Sequence, residues 1–386
     1  MKPHSRKFLL VLPLLSALTL LLANCGGSSS GSGAGPNGPT AGEYLWETSG
    51  SDERLFYATV DTTTGQLGAP TPSGGNACNS ESTVSPLAVA PSDKFVFVLD
   101  LCFNSVRVYS AGGPGVVLTE AAGSPYTFVG AFISIAIDPK GKSLYLISEA
   151  PGALYQIPVD ESDGALGTPT ILAESADLRE AIVHPSGKYI FVNDYTGGRI
   201  FAYLVGSGGS LSPVPGSPFN VPNNVFAVGL ILDGNGSFLY VPLSSGGIAG
   251  FAVDSSTGAL SNIPGSPFPT SNDTYELAAS PSGKVLYALD SIGGGNTIEA
   301  FSIDSGNGAL TAIAGSPFSA PLPLNGLTVD NSGSFLYASV NADTLSGAMI
   351  VGFSIDPSTG SLVTLPTSPY AAPPFSNGVI SLNIPQ

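Results

Sequence analysis

A repeat of roughly fifty residues governs this chain. After turns rich in Gly and Lys, an aromatic residue recurs at Trp46, Phe97, Tyr145, Phe191, Tyr240, Tyr287 and Tyr337, at successive spacings of 51, 48, 46, 49, 47 and 50. A second register, Asp-x-x-x-Gly-x-Leu, places leucines at Leu67, Leu166, Leu211, Leu260, Leu310 and Leu362, with Leu118 filling the second repeat. A third mark, Gly-Ser-Pro-Phe or a close variant, closes repeats at Tyr126, Phe219, Phe268, Phe318 and Tyr370. Marks held in one phase confine the chain to an array of equivalent supersecondary units.

One unit shows what is repeated. Residues 225–268 contain four apolar stretches, Val225 to Leu232, Phe238 to Leu243, Ile248 to Val253 and Leu260 to Ile263. The turn Asp233-Gly234-Asn235-Gly236 separates the first two. Apolar alternation and β-branched content point to short antiparallel strands, and four strands in such a length make a propeller blade. Residues 43–386 provide for seven. The first repeat starts at its second strand, around Glu43 to Glu47, so its innermost strand must come from elsewhere. The tail Phe375 to Leu382 supplies it, since Asn377-Gly378-Val379-Ile380 matches Asn325-Gly326-Leu327-Thr328. The expectation is an all-β, seven-bladed β-propeller with four antiparallel strands per blade. The C-terminal strand joins the N-terminal blade and removes open sheet edges.

Composition agrees and excludes other classes. Only 10% of residues are charged, while 49 Gly and 33 Pro make up about a fifth of the 386 residues, which rules out coiled coils and helical bundles. The net charge of −16 leaves no general basic surface for nucleic acid or anionic lipid.

The amino terminus reads as an address. Lys2, Arg6 and Lys7 precede an apolar run from Phe8 to Ala23, the pattern of an export signal. The run ends at Leu22-Ala23-Asn24-Cys25-Gly26, which resembles the lipobox of bacterial lipoproteins, although Asn24 departs from the usual small residue. Residues 1–24 are thus expected to be removed and Cys25 lipidated. The Gly/Ser-rich residues 25–42 would be a flexible tether of roughly 20 to 25 Å, and the protein a membrane-anchored lipoprotein of the cell envelope. Cys78 and Cys102 then remain as a potential disulfide, because they fall at the same end of the second blade, before its innermost strand and after the next.

A family resemblance follows from the turn and core words. Ser280-Pro281-Ser282-Gly283-Lys284-Val285-Leu286-Tyr287 and Phe251-Ala252-Val253-Asp254-Ser255-Ser256-Thr257-Gly258-Ala259-Leu260 are similar to repeats of the lactonase-type seven-bladed propellers. That family includes 6-phosphogluconolactonases, muconate-lactonising cycloisomerases and surface proteins with YVTN-like repeats. The resemblance implies the fold over residues 43–386. It implies lactone chemistry only as an expectation, because the shared words do structural work.

Candidate site residues come from topology. The lysines of residues 43–386 (Lys94, Lys140, Lys142, Lys188, Lys284) fall in turns between the first and second strands of blades, whereas Arg54, Arg107, Arg179 and Arg199 fall at the opposite face. The arginines either hold a carboxylate or phosphate ligand or pair with local acids. Glu180 and Glu276 occupy equivalent positions on innermost strands, where other blades have Pro86, Ser134, Gly229 and Gly326. They are the candidate catalytic residues. Arg179, Arg199, Asp194 and Asp290 are candidate ligand-binding residues around them. The carboxylates could serve as general acid and base or hold a divalent cation, or they are solvated loop acids. No resident metal or other cofactor is expected. His184 takes a turn position held elsewhere by Ala90, Asp138, Asp233, Ser280 and Asp330, and reads as turn filler. The reading is a monomeric, lipid-anchored module that binds a small carbohydrate-derived ligand or an envelope protein. The alternative is a lactonase working through the tunnel carboxylates and arginines.

Overall fold

Where an Asp heads the outer turn of a repeat, it uses its own carboxylate to set the turn. Asp254 Oδ1 accepts from the Ser256 and Thr257 N–H groups, both at 2.9 Å, and Asp356 does the same for Ser358 and Thr359 at 2.9 and 2.8 Å. The inner turns use the same device at longer reach, with Asp233 Oδ1 taking the Phe238 N–H at 2.7 Å and Asp330 Oδ1 that of Phe335 at 2.7 Å. In the computed structural model the described residues are 43–48, 55–73, 86–92, 94–101, 103–110, 118–149, 152–175, 177–244, 246–290, 295–340, 349–372 and 380–383. The export signal, Cys25 with its tether, Cys78 and Cys102 lie outside them.

Among the described residues the strands between these turns form seven antiparallel sheets, numbered 1 to 7 in chain order. No α-helix occurs among the described residues. Sheet 4 runs outward through Leu178–Val183, Tyr189–Asp194, Arg199–Val205 and Leu211–Pro213, called strands A to D from the inner edge. In sheet 1, Ile380–Asn383 takes the strand A place and pairs antiparallel with Glu43–Thr48, Ile380 opposite Trp46. The architecture is an all-β propeller.

The outer edge is more elaborate than four strands per sheet. In sheets 2, 4, 6 and 7 a fifth short strand pairs with strand C beside strand D: Tyr126–Thr127, Phe219–Asn220, Phe318–Ser319 and Tyr370–Ala371. Strand D of sheet 4 has three residues against seven in strand C, so part of the strand C ladder would face solvent unpaired. The Gly-Ser-Pro-Phe segment covers that part. Its serine accepts a strand C amide, Ser217 from Ala202 at 2.9 Å, Ser316 from Ala300 at 3.0 Å and Ser368 from Gly352 at 3.0 Å. The third sequence mark is therefore a second outer strand.

The repeating aromatic and the repeating glycine meet between sheets. Tyr240 of sheet 5 donates its hydroxyl to the Gly308 carbonyl of sheet 6 at 2.8 Å, Tyr287 to Gly360 at 2.9 Å, and Tyr337 of sheet 7 to Gly65 of sheet 1 at 2.9 Å. Gly308 is required twice over. Its φ is +75°, and a Cβ there would lie 2.4 Å from the Phe238 ring of sheet 5. Apolar side chains continue the seam. One cluster joins Phe191 and Ile200 of sheet 4 to Leu239 and Phe251 of sheet 5, and another joins Leu45 and Ala58 of sheet 1 to Tyr337 and Ile350 of sheet 7. Neighbouring sheets thus share their cores, and the inner strands are left around a common axis.

Candidate functional site

The inner strands are bulged at corresponding places. In sheet 3, Ile147 faces Ser134 but Ser148 faces Phe132, leaving Ile133 as an extra residue. Sheets 4, 6 and 7 carry the same irregularity at Arg179, Tyr275 and Asn325. A bulge re-aims the side chain it carries and ends regular pairing, a device common beside functional sites. Here it puts a distinct residue at the rim of the axis and an adjoining residue one step deeper. In sheets 4 and 6 the deeper residue is glutamate.

Glu180 and Glu276 make equivalent contacts. Glu180 Oε2 accepts the Leu230 N–H of the next sheet at 3.0 Å, and Glu276 Oε1 accepts the Leu327 N–H of the next sheet at 3.3 Å. Glu180 is 3% exposed, and its Oε1 has no hydrogen-bond partner. Asn193 fixes it from behind: the Glu180 N–H donates to Asn193 Oδ1 at 2.7 Å, while Asn193 Nδ2 donates to the Ala227 carbonyl at 2.8 Å. Burial raises the proton affinity of both carboxyls, because removing solvent penalises the charged form. Glu276 is pushed up to about 8, despite the Leu327 amide. Glu180 is raised well above the ordinary carboxylate range by burial, with the charge of Glu276 adding to the effect. The two carboxyls that share a position in the repeat are therefore near enough for the charge of Glu276 to reach Glu180.

The arginines are engaged. Arg179 Nε bonds Asp177 Oδ1 at 2.7 Å, its Nη1 bonds Glu149 Oε1 at 3.3 Å, and its guanidinium lies 5.6 Å from the Tyr195 ring centre. Arg199 Nε bonds Asp194 Oδ2 at 3.2 Å, and Asp194 is buried. Arg107 likewise bridges Asp100 and Glu120, at 3.3 and 3.1 Å. Each of these three arginines is thus tied to local acids. Asp290 ends strand B of sheet 6 opposite Thr274.

Sequence reasoning passed over the aromatic rim. Tyr195 stacks on Phe226 of sheet 5, ring centres 4.9 Å apart at 26°, and Phe226 is 43% exposed. Tyr275 of sheet 6 is made harder to ionise by burial first, then by the charge of Asp273 and by the nearby Tyr195. Groups from sheets 3, 4, 5 and 6 therefore meet around Arg179 and Tyr195. The alignment that found Glu180 and Glu276 finds Arg179 and Tyr275 when read one residue earlier.

His184 does more than fill a turn. Its Nδ1 accepts the Ser186 N–H at 3.1 Å, and its Nε2 donates to the Gly236 carbonyl of the next sheet at 2.9 Å. Burial lowers its proton affinity. It clips two sheets together in the turns at the face opposite the rim.

No curated protein matches the chain by sequence. Solved structures do match by fold. A candidate 6-phosphogluconolactonase from Bacteroides fragilis superposes with a TM-score of 0.73 at 18% identity, covering 90% of this chain and 100% of its own. A similar protein from Bacteroides uniformis gives 0.72 at 18% identity, covering 89% and 100%. A periplasmic gluconolactonase from Pseudomonas aeruginosa gives 0.71 at 19% identity, covering 89% and 100%. At these identities the likeness establishes the fold. Residues 236–339 match the family described as lactonase, 7-bladed beta-propeller, and over that stretch the chain carries the sequence signature of the lactonase-type propellers.

Proposed function

We propose that this protein is a lactonase that opens a small carbohydrate-derived lactone by hydrolysis at the axis of a closed, seven-bladed ring. The observation that carries the reading is the pair Glu180, buried, and Glu276, partly buried, each accepting an amide of the next sheet, with Arg179 and Tyr275 one residue before them in the chain. A general base works best with a proton affinity near the operating pH, and Glu276 at about 8 meets that condition. Glu276 as carboxylate takes a proton from water as the water oxygen attacks the lactone carbonyl carbon. The ring C–O bond then breaks, and the departing alkoxide takes the proton that Glu180 holds. The product is a hydroxy acid whose carboxyl ionises and acidifies the medium. Tyr195 and Phe226 offer a flat apolar surface for the ring, and Arg179 offers guanidinium N–H groups to its hydroxyls.

The match of residues 236–339 supports lactone chemistry, and the neighbours named as gluconolactonases and 6-phosphogluconolactonases support it by analogy of fold. Seven sheets with Ile380–Asn383 completing the first support the closed ring. The reading places the protein in the cell envelope as a monomer, exported by residues 1–24 and held by lipid on Cys25. The periplasmic neighbour and the sequence pattern both favour that location. The binding-module reading keeps one specific support, the exposed Phe226 on its stacked partner.

Acid release measured by pH-stat on a panel of aldonolactones, with and without phosphate, tests the proposal. Turnover by the wild-type protein that disappears in Glu180→Gln with Glu276→Gln is the expected result. No turnover on any lactone refutes hydrolysis and turns attention to partners of the aromatic rim.

A further inference from the structure

Resting on the lactonase reading, we infer that the site admits an uncharged lactone, disfavours a phosphorylated or carboxylated one, and drives out its own anionic product. Glu149, Asp177 and Asp273 set this preference. The contacts around Arg179 define the local charge. Its Nε bonds Asp177 Oδ1 at 2.7 Å, its Nη1 bonds Glu149 Oε1 at 3.3 Å, and its guanidinium lies 5.6 Å from the Tyr195 ring centre. Tyr275 lies within electrostatic reach of both Tyr195 and Asp273. One guanidinium thus stands among three carboxylates, a net of two negative charges. Among the described residues no lysine and no other arginine makes an ion pair with Glu149, Asp177 or Asp273. Arg199 is bonded to buried Asp194, and that pair adds no net charge. Arg179 and Tyr275 immediately precede Glu180 and Glu276, so this charge borders the reacting groups.

The uncharged contacts suit a neutral ring. Tyr195 and Phe226 stack with ring centres 4.9 Å apart and leave Phe226 exposed as an apolar surface. A guanidinium has five N–H donors, so Arg179 keeps donors for sugar hydroxyls beyond those on Asp177 and Glu149. A phosphate monoester brings about 1.5 to 2 negative charges at neutral pH. Like charges set side by side reject a wrong partner. Hydrolysis then changes the ligand's own charge. Water adds to the lactone carbonyl, the ring C–O bond breaks, and the neutral ring becomes a hydroxy acid that loses its proton. The field that tolerated the substrate repels the carboxylate and speeds its release.

Two measurements on the full chain test this: pH-stat turnover of gluconolactone against its 6-phosphate, and calorimetric titration with the unreactive gluconolactam, its 6-phosphate and gluconate. The neutral ligand is expected to be preferred about tenfold or more, in kcat/KM and in Kd. Raising salt from about 20 to 500 mM should narrow that gap by screening the repulsion. Asp177→Asn with Glu149→Gln should narrow it too. If that variant does not fold, Asp273→Asn, at an exposed position, should act in the same direction. Equal or tighter binding of the phosphorylated lactam overturns the inference, as does a preference unmoved by salt and by these substitutions. Gluconate binding as tightly as the lactam overturns product expulsion. Lactam binding with the expected preference but no lactone turnover sinks the hydrolase reading alone. Turnover that favours the phosphorylated lactone sinks the charge preference alone. No turnover and no binding of either lactam sinks both.

Discussion

Replacing Glu276 by glutamine should make the protein more stable at alkaline pH. In the folded chain the Glu276 carboxyl is pushed from an ordinary value near 4.5 up to about 8, chiefly by burial. A carboxyl with a raised native value holds its proton more tightly folded than unfolded. Its contribution is complete below 4.5 and is lost as pH rises through 8. Integrating between pH 5 and pH 9 gives a loss of about 4 kcal/mol from this one group. Glutamine keeps the shape and can still accept the Leu327 amide, but has no proton to lose. Urea unfolding at steps from pH 5 to pH 9 reads the effect. Wild-type stability should fall across that range more steeply than that of Glu276→Gln, with the curves diverging by a few kcal/mol at the alkaline end. Parallel curves would show that Glu276 is solvated and would remove it as a tuned base.

Three further substitutions probe the scaffold and the site. Tyr337→Phe removes the hydroxyl that bonds the Gly65 carbonyl between sheets 7 and 1, and should cost about 1 to 3 kcal/mol in urea unfolding. Gly308→Ala meets both a φ of +75° and the Phe238 ring, and should cost about 2 to 5 kcal/mol, read as a lower Tm. Asn193→Ala frees the Glu180 backbone amide and the Ala227 carbonyl. It is expected to lower kcat on the best lactone about tenfold or more while leaving KM near its original value, as displacement of a positioned acid requires.

The fold was legible because its repeat words are contact words. The aromatic at Tyr240 and Tyr287 and the glycine at Gly308 and Gly360 are the two ends of a hydrogen bond between sheets, so neither can drift without the other. The Gly-Ser-Pro-Phe mark was legible as punctuation but not as a fifth strand, since two paired residues such as Phe219–Asn220 give no periodicity to read. At the site, equivalence of position revealed Glu180 and Glu276. The rim escaped notice because Tyr195 and Phe226 stack across a gap of thirty-one positions and two sheets. The roles of Arg179 and Arg199 depended on which acids they reach, a matter of side-chain direction that spacing does not encode.

The central claim is that a lactone ring sits at the mouth of the axis with its carbonyl over the two glutamates. A crystal structure of Glu276→Gln soaked with the best lactone found by pH-stat tests it most directly. The account predicts the ring against Tyr195 and Phe226 with its carbonyl or ring oxygen within about 3 Å of Glu180 or position 276. A ligand bound only at the opposite, lysine-bearing face would contradict it.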